Sequence, residues 1–407
     1  MKYIILLCDG MADVPVPLLG NLTPMEKALK PNMDTLFSTA WVGTSKTVPD
    51  HMPAGSDVAN LSVFGYDPEK YYTGRSPLEA ISMNLTLKDN DTALRCNLVT
   101  LGGTGSLDLR TMEDYSAGEI GTEEAKELIQ SIAEKMNCAS KRGHWSFHPG
   151  ISYRHCMIWE NGPLDIQLTP PHDISGKSVK EWLPKGPGSE IIRELMEDSA
   201  GILDQHPINI KRRAHGLNPA NFIWLWGQGR KPALPTMKEL YGIDGSVISA
   251  VDLIKGIGIA AELSSIHVIG ATGNLHTNYR GKAIAALEQL KAGKDFVYIH
   301  VEAPDECGHQ GQALEKTTAI ERIDAELLAV LLEDLPEIGD FRILIMPDHP
   351  TPVGIRTHTH EPVPFLLFDS RKNLAFEGQK NSFTEENAKL GTYIEHAYTL
   401  IKHLLEP

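Results

Sequence analysis

At 407 residues, with 42% hydrophobic and 7% aromatic side chains, the chain is composed like a globular protein and is long enough for two domains. Its formal net charge of −15 argues against an extended basic face, and so against a nucleic acid or an anionic membrane as partner. Five cysteines (Cys8, Cys96, Cys138, Cys156 and Cys307) show no C-x-x-C spacing, which reads as reduced thiols of a cytoplasmic protein rather than a disulfide framework.

The first apolar run, residues 3–8, stops at Asp9-Gly10. It is too short for a signal peptide and is expected to be a central parallel strand covered on both faces. No run approaches the ~20 apolar residues that span a bilayer, so a soluble intracellular protein is expected. Residues 23–37 read as a helix, with Thr23 as N-cap, Pro24 at the first helical position and Glu26 three residues after the cap. A short strand at 41–48 follows, and then a Pro/Gly turn, PDHMPAGSD, hands Ser56-Asp57 to a helix start. Residues 73–83 are helical in pattern and 91–101 strand-like. A polar helix lies within 114–136, and strands are expected at 148–159 and 162–168. This strand-helix-strand-strand order marks a small α+β domain at 89–180, inserted into a core formed by 1–88 and 181–407.

Beyond it come a long helix at 189–214, strand 222–226, a short helix at 237–240, strand 247–251, a helix around 254–263 and strand 266–271. A helix at 280–291, the strand opening FVYIHVEAPDECGH, a helix at 315–333 and the strand FRILIM at 341–346 complete the pattern. Such alternation predicts an α/β fold with a doubly wound, mostly parallel sheet.

Three acids, Asp9, Asp305 and Asp348, stand where apolar strands stop. In a parallel sheet those tips share one edge, where open α/β sheets bind ligands. One acid at a strand end is ordinarily a turn residue. Three of them, with Asp305-x-x-x-His309 and Asp348-His349 among them and His358 and His360 close by, are poorly explained by turns. Carboxylates gathered without a cation repel one another, and mixed Asp/His ligation suits Mn²⁺ or Zn²⁺ better than Ca²⁺, with Mg²⁺ open. Ser56 sits at a turn-to-helix junction that favours an anion. Taken alone it is a plain N-cap, and Asp57 a first-turn acid; beside a metal it could be an activated nucleophile.

Taken together, CDG, PAGSDVANLSVFGYDP, YYTGRSPLEA, RCNLVTL, YRH, PPHDISGK, PANFIWLWGQG, VEAPDECGH, PDH and THTHEPVPF run in order through nearly the whole chain. The set resembles the 2,3-bisphosphoglycerate-independent phosphoglycerate mutases of the archaeal type, within the alkaline phosphatase superfamily. The resemblance implies an alkaline phosphatase-like core interrupted by a substrate-clasping domain, two divalent ions (Mn²⁺ first, with Zn²⁺, Mg²⁺ or Co²⁺ open), no 2,3-bisphosphoglycerate, and a small phosphorylated substrate. It implies that Asp9, Ser56, Asp348 and His349 hold one ion, with Ser56 the phosphorylated nucleophile, and that Asp305, His309 and His358, not His360, hold the other. Arg154, His172 and Asp173 match positions near the substrate, and Arg75 and Lys282 are further candidates. Two positions depart from the pattern: Ser76 where glycine is expected after the arginine of TGR, and His276 where aspartate is expected before TNY. They leave open a homoserine kinase-like phosphotransferase on the same scaffold. Oligomeric state is not legible in the sequence.

Overall fold

The computed structural model describes residues 1–136, 138–140, 143–372 and 382–406, without the side chains of 138–140. The chain forms two compact units, one of Met1–Tyr72 with Ala233–Pro407 and one of Thr73–Pro232. In chain order, the first unit supplies β1 (Lys2–Cys8) and β2 (Trp41–Ser45). The second holds β3 (Thr92–Gly102), β4 (Thr111–Asp114), β5 (Cys138–Ser140), β6 (Gly143–His148), β7 (Arg154–Glu160) and β8 (Phe222–Arg230). The first unit resumes with β9 (Gly245–Ile248), β10 (Ser264–Ile266), β11 (Phe296–Val301), β12 (Phe341–Met346), β13 (Val363–Asp369) and β14 (Thr392–Ile394).

The first unit is built on one sheet, in the order β10-β9-β11-β1-β12-β13-β2-β14. Only β13 runs against its neighbours, β12 and β2, so the sheet is mostly parallel as the alternating pattern predicts. β1 lies in the middle. Residues 3–8 pair with 296–301 of β11, and residues 2–7 with 341–346 of β12. Ile4, Ile5, Leu6, Leu7 and Cys8 are all fully buried, which is why this strand is an unbroken apolar run. Because the three strands are parallel and nearly in register, the residues that follow their tips emerge on one edge.

The second unit is antiparallel. β3 pairs with β7 and β8 along its length and with β4 at its end, and β6 and β5 continue beyond β7. Thr73–Pro232 is wider than the expected 89–180 on both sides. The reason is backbone pairing: β8 bonds to β3, and Ile192, Leu195 and Met196 of helix Ser189–Leu203 share a core with Phe222 and Trp224. On the near side, Ala80 of helix Ser76–Ser82 packs with Ala93, Cys156 and Ile158.

Several expected elements are divided by proline. The helix read at 23–37 is two, Pro24–Lys27 and Pro31–Phe37, because Pro31 starts a new helix and disfavours helical geometry in the residue before it. The helix read at 189–214 ends at Leu203 and restarts at Pro207, where the His206 imidazole accepts from Ile208 N–H at 3.3 Å. The strand read at 148–159 is broken at Pro149-Gly150 into β6 and β7, and 162–168 is a loop whose Gln167 makes one bridge to Lys185. The strand read at 266–271 is only the end of β10. The helix read at 315–333 extends through Ala313–Arg322, a π-helical segment Ile323–Leu328 and Ala329–Ile338. Cys8, Cys96, Cys156 and Cys307 are buried free thiols, and the side chain of Cys138 lies outside the described residues. Among those residues no helix is long and apolar enough to cross a membrane.

Behind the central sheet edge, buried Lys316 pairs with Asp13 at 2.7 Å, and the Glu385 carboxylate accepts from Asp13 N–H at 3.0 Å and Thr23 Oγ1 at 2.8 Å. Burial pushes the Glu385 carboxyl up to about 7. A group whose folded pKa lies above its unfolded value stabilises fully below the unfolded value, and that contribution is lost as pH rises through the folded one. Denaturant titrations should therefore show stability falling between about pH 4.3 and about pH 7, by up to roughly 3 kcal/mol from this group. Glu385→Gln should flatten that slope.

Candidate active site

Asp9 follows β1; its N–H donates to Val301 O at 3.0 Å and its side chain is buried. Gly10 turns the chain at φ +61°, and a Cβ there would lie 2.6 Å from both Asp305 Oδ1 and Thr351 Oγ1, so only glycine fits. Its N–H donates to Asp348 Oδ1 at 3.1 Å. Asp348, fully buried after the tip of β12, also accepts from His349 N–H at 2.9 Å and from Asn60 Nδ2 at 2.8 Å. Asn60 is aimed by Tyr298, whose hydroxyl donates to Asn60 Oδ1 at 2.7 Å. Ser56 opens the same helix, Ser56–Val63, and its Oγ lies 3.0 Å from His349 Nε2. Asp57 turns away and accepts from the Tyr72 hydroxyl at 2.7 Å.

Two ligand groups result: Asp9, Asp348 and His349, and Asp305, His309 and His358, each with donor atoms all within 4.8 Å of one another. His349 Nε2 is 3.3 Å from Asp348 Oδ2 and 3.7 Å from Asp9 Oδ1. In the second group, Asp305 and His309 are four residues apart on helix Ala303–Gln310 and so share a face. Asp305 lies 3.3 Å from both His309 Nε2 and His358 Nε2, which are 2.9 Å apart. The His349 and His358 rings stack at 3.7 Å, which places the two groups side by side.

These residues fit divalent ions. Each imidazole has its Nδ1 against an oxygen (Thr351 Oγ1 at 3.2 Å for His349, Arg356 O at 3.0 Å for His309, Ala54 O at 2.7 Å for His358), which turns the Nε2 atoms inward. Asp9 Oδ1 is buried with no hydrogen-bond partner among the described residues. Burial first, then Asp348, Asp305 and Glu302, drive the Asp9 carboxyl far above the carboxylate range. Burial would do the same to Asp305, but hydrogen bonds from His309 and His358 hold it well below, and the Asp305 bond pushes His309 up to about 9. Protons stand in this cluster where cations would invert the local field.

His360 is outside both groups, with Nε2 2.8 Å from Met52 O, and His276 is exposed in a loop. Lys282, expected near a substrate anion, is instead fully buried and donates to His300 O at 2.8 Å, and burial lowers its ammonium to about 8. It props the strand from behind. His300 itself holds Asp9 Oδ2 at 2.8 Å through Nε2, with its other nitrogen 3.1 Å from Ser249 Oγ. Nothing in the apolar pattern FVYIHV distinguishes His300 from a strand filler.

In the second unit, Glu79 accepts from Arg75 Nε at 2.8 Å and forms an ion pair with Arg95, Nε to Oε2 at 3.0 Å. Arg95 lies 4.4 Å over the Trp226 ring, which meets His172 at 5.4 Å. Tyr115 stands between His172 and Tyr153, at 6.0 and 5.9 Å, and Arg154 lies 5.4 Å over Tyr153. Asp173 Oδ1 is exposed, 3.6 Å from His172 Nε2. Burial, opposed by Glu79 and aided by Arg75 and Arg154, lowers the Arg95 guanidinium to about 10. The cluster is a local cationic site in an acidic protein. Arg95 was not among the expected residues, although an arginine in the apolar strand RCNLVTL is a signal, since a buried charge needs partners. Buried Ser76 donates to Gly227 O, which ties its helix to β8.

A family model described as 2,3-bisphosphoglycerate-independent phosphoglycerate mutase matches residues 38–209. A Geobacter sulfurreducens protein named "Probable 2,3-bisphosphoglycerate-independent phosphoglycerate mutase" is 48% identical over 410 residues, covering 100% of each chain. A Methanosarcina barkeri protein carrying the same name without the qualifier is 46% identical over 394 residues and 96% of each chain. The solved structure of a Pyrococcus horikoshii protein superposes with a TM-score of 0.80 at 28% identity, covering 100% of this chain and 97% of that one.

A divalent ion at a hundred times its dissociation constant should stabilise the metal-free protein by about 2.7 kcal/mol per site, read as a rise in melting temperature. His309→Ala should lessen that rise without lowering the melting temperature measured in chelator.

Proposed function

The chain belongs to the 2,3-bisphosphoglycerate-independent phosphoglycerate mutase family, and on that premise we propose that it interconverts 3-phosphoglycerate and 2-phosphoglycerate through a phosphoserine at Ser56. The observation that carries this reading is Ser56 Oγ, 3.0 Å from His349 Nε2 at the first turn of a helix and beside both ligand groups.

Asp9, Ser56, Asp348 and His349 would hold one divalent ion, and Asp305, His309 and His358 the second. Bound there, the ions neutralise the phosphoryl oxygens and lower the pKa of the serine hydroxyl. Mn²⁺ is the proposed ion on this Asp/His donor set, with Zn²⁺, Mg²⁺ and Co²⁺ sharing the same ligand preferences. Ser56 Oγ attacks phosphorus as the ester bond to glycerate breaks, and the freed glycerate oxygen takes a proton. The other glycerate hydroxyl then loses its proton and attacks, breaking the Oγ–P bond and restoring Ser56. No water is consumed, so the substrate's phosphoryl group is conserved. First-turn N–H groups of helix Ser56–Val63 favour the negative charge.

For the glycerate portion, the paired donors of Arg75, Arg95 and Arg154 suit a carboxylate or phosphate. Partial burial lowers the His172 imidazole below its ordinary range, and Asp173 beside it serves as acid or base on the glycerate hydroxyls. Buried thiols accord with a cytoplasmic setting. None of the compared proteins favours the homoserine kinase-like alternative, and Ser76 is spent on the bond to Gly227 O.

Ser56→Ala should lower interconversion of the two phosphoglycerates by about a thousandfold or more, and chelation should abolish it until metal is restored. Arg95→Met should raise KM for phosphoglycerate by about tenfold or more with a smaller change in kcat. A folded, Mn²⁺-loaded chain that fails to isomerise phosphoglycerate but phosphorylates homoserine from a phosphate donor would overturn the mutase reading.

A further inference from the structure

Thr351 follows the metal-ligand pair Asp348-His349 by two residues and is fully buried. Its Oγ1 donates to Asp305 Oδ1 at 2.5 Å and lies 3.2 Å from His349 Nδ1. Those two neighbours belong to different ligand groups. A threonine hydroxyl carries one proton. A carboxylate oxygen can only accept it, so the proton points to Asp305 and the hydroxyl lone pair is left to receive the Nδ1–H of His349. The order of donors is therefore fixed along the chain His349 Nδ1–H to Thr351 Oγ1–H to Asp305 Oδ1. It follows that His349 carries its proton on Nδ1 and presents a bare Nε2 toward Ser56 and toward Asp9 and Asp348.

The hydroxyl has little freedom to be anywhere else. Thr351 N–H donates to Ala12 O at 3.2 Å, and its carbonyl accepts from Lys316 Nζ at 2.8 Å, which also binds Ala12 O at 3.2 Å and Asp13 at 2.7 Å. Gly10 and Gly308 close on it from both sides: a Cβ on Gly10 would stand 2.6 Å from Thr351 Oγ1, and one on Gly308 2.5 Å from Thr351 O. Two glycines and a buried lysine thus hold one hydroxyl between two ligand groups.

We propose that Thr351 is a positioning residue that couples the two metal centres, setting the tautomer of His349 in one and the rotamer of Asp305 in the other through a single hydroxyl. The proposal rests on the two-ion reading given above. Groups that orient metal ligands in this way contribute about 10- to 100-fold to affinity. Because the hydroxyl is shared, its removal weakens both centres at once.

The test is a calorimetric titration of the metal-free full chain with Mn²⁺ alone, for wild type, Thr351→Ser, Thr351→Ala and Thr351→Val, with circular dichroism melts in chelator as the control for folding. Wild type and Thr351→Ser should take up two equivalents with similar affinity. Thr351→Val and Thr351→Ala should lose about tenfold or more at both sites. Weakening at one site only, or equal affinity for the serine and alanine variants, overturns the coupling role. Should Thr351→Val fail to fold, the serine-to-alanine comparison decides by itself. A wild-type chain that takes up no Mn²⁺ overturns the two-ion reading and the coupling with it, whereas two equivalents bound with the same affinity in wild type and Thr351→Val overturn the coupling alone.

Discussion

Three buried carboxylates at the ends of three adjacent parallel strands impose the constraint that the first unit is arranged to satisfy. Asp9 and Asp348 follow β1 and β12, and Asp305 follows β11 by way of a helix start, so the sheet order itself brings like charges together. Two unit charges about 4 Å apart at an effective dielectric constant of 20 repel by about 4 kcal/mol. Hydrogen bonds from Gly10 N–H, His349 N–H and Asn60 offset part of this at Asp348, and His300 does so at Asp9. What these bonds leave over is a cluster in which imidazole nitrogens and an unpartnered carboxylate oxygen face inward. That is the electrostatic condition for binding cations, and it exists because of how strands are ordered, not because of any single residue.

The one reversed strand matters to this arrangement. Because β13 runs antiparallel to β12, the connection at 347–362 leaves and re-enters the sheet at the same edge. It carries Asp348, His349, Thr351 and His358 within that one excursion, and so contributes to both ligand groups. A parallel crossover would have taken the chain to the opposite edge within the same span. The second unit, taken by itself, carries a cationic cluster. There Arg75 and Arg95 are gathered on one carboxylate, Glu79, with Arg95 also over an indole ring.

Much of this was legible in the chain, and for identifiable reasons. Asp9 and Asp348 stand out because a fully buried strand must be apolar until it ends, so the first acid marks the tip. Asp305 and His309 stand out by their short fixed spacing after an apolar strand, although the helix that puts them on one face was not read in the chain. His358 over His360 was carried by resemblance, and its imidazole does meet Asp305 while that of His360 turns to Met52 O. Asn60, His300 and Thr351 were not legible. Each is a polar residue in an ordinary local pattern, and its meaning comes from a partner 288, 291 or 46 positions away. Lys282 was misread for the converse reason: a lysine on a helix ordinarily reaches water, but this one is fully buried. The second unit's limits were drawn too narrowly because the apolar run of β8 has the same periodicity whichever sheet it joins. Only its pairing with β3 decides.

The position of β1 also governs when the site can exist. Both of its sheet neighbours come from the far end of the chain, at 296–301 and 341–346, whereas the second unit is one continuous segment, 73–232. On the ribosome, this buried apolar strand waits for nearly three hundred residues before either flank is available. Contacts this distant are slow to form, and an unpaired apolar strand is exposed to association in the meantime. A nascent chain therefore has neither ligand group complete until β12 and the residues after it have emerged. A truncated product ending before residue 341 would carry Ser56 and Asp9 but neither Asp348 nor His349. Reactivity in this protein is assembled late, when β11 and β12 reach a strand made nearly three hundred residues before them.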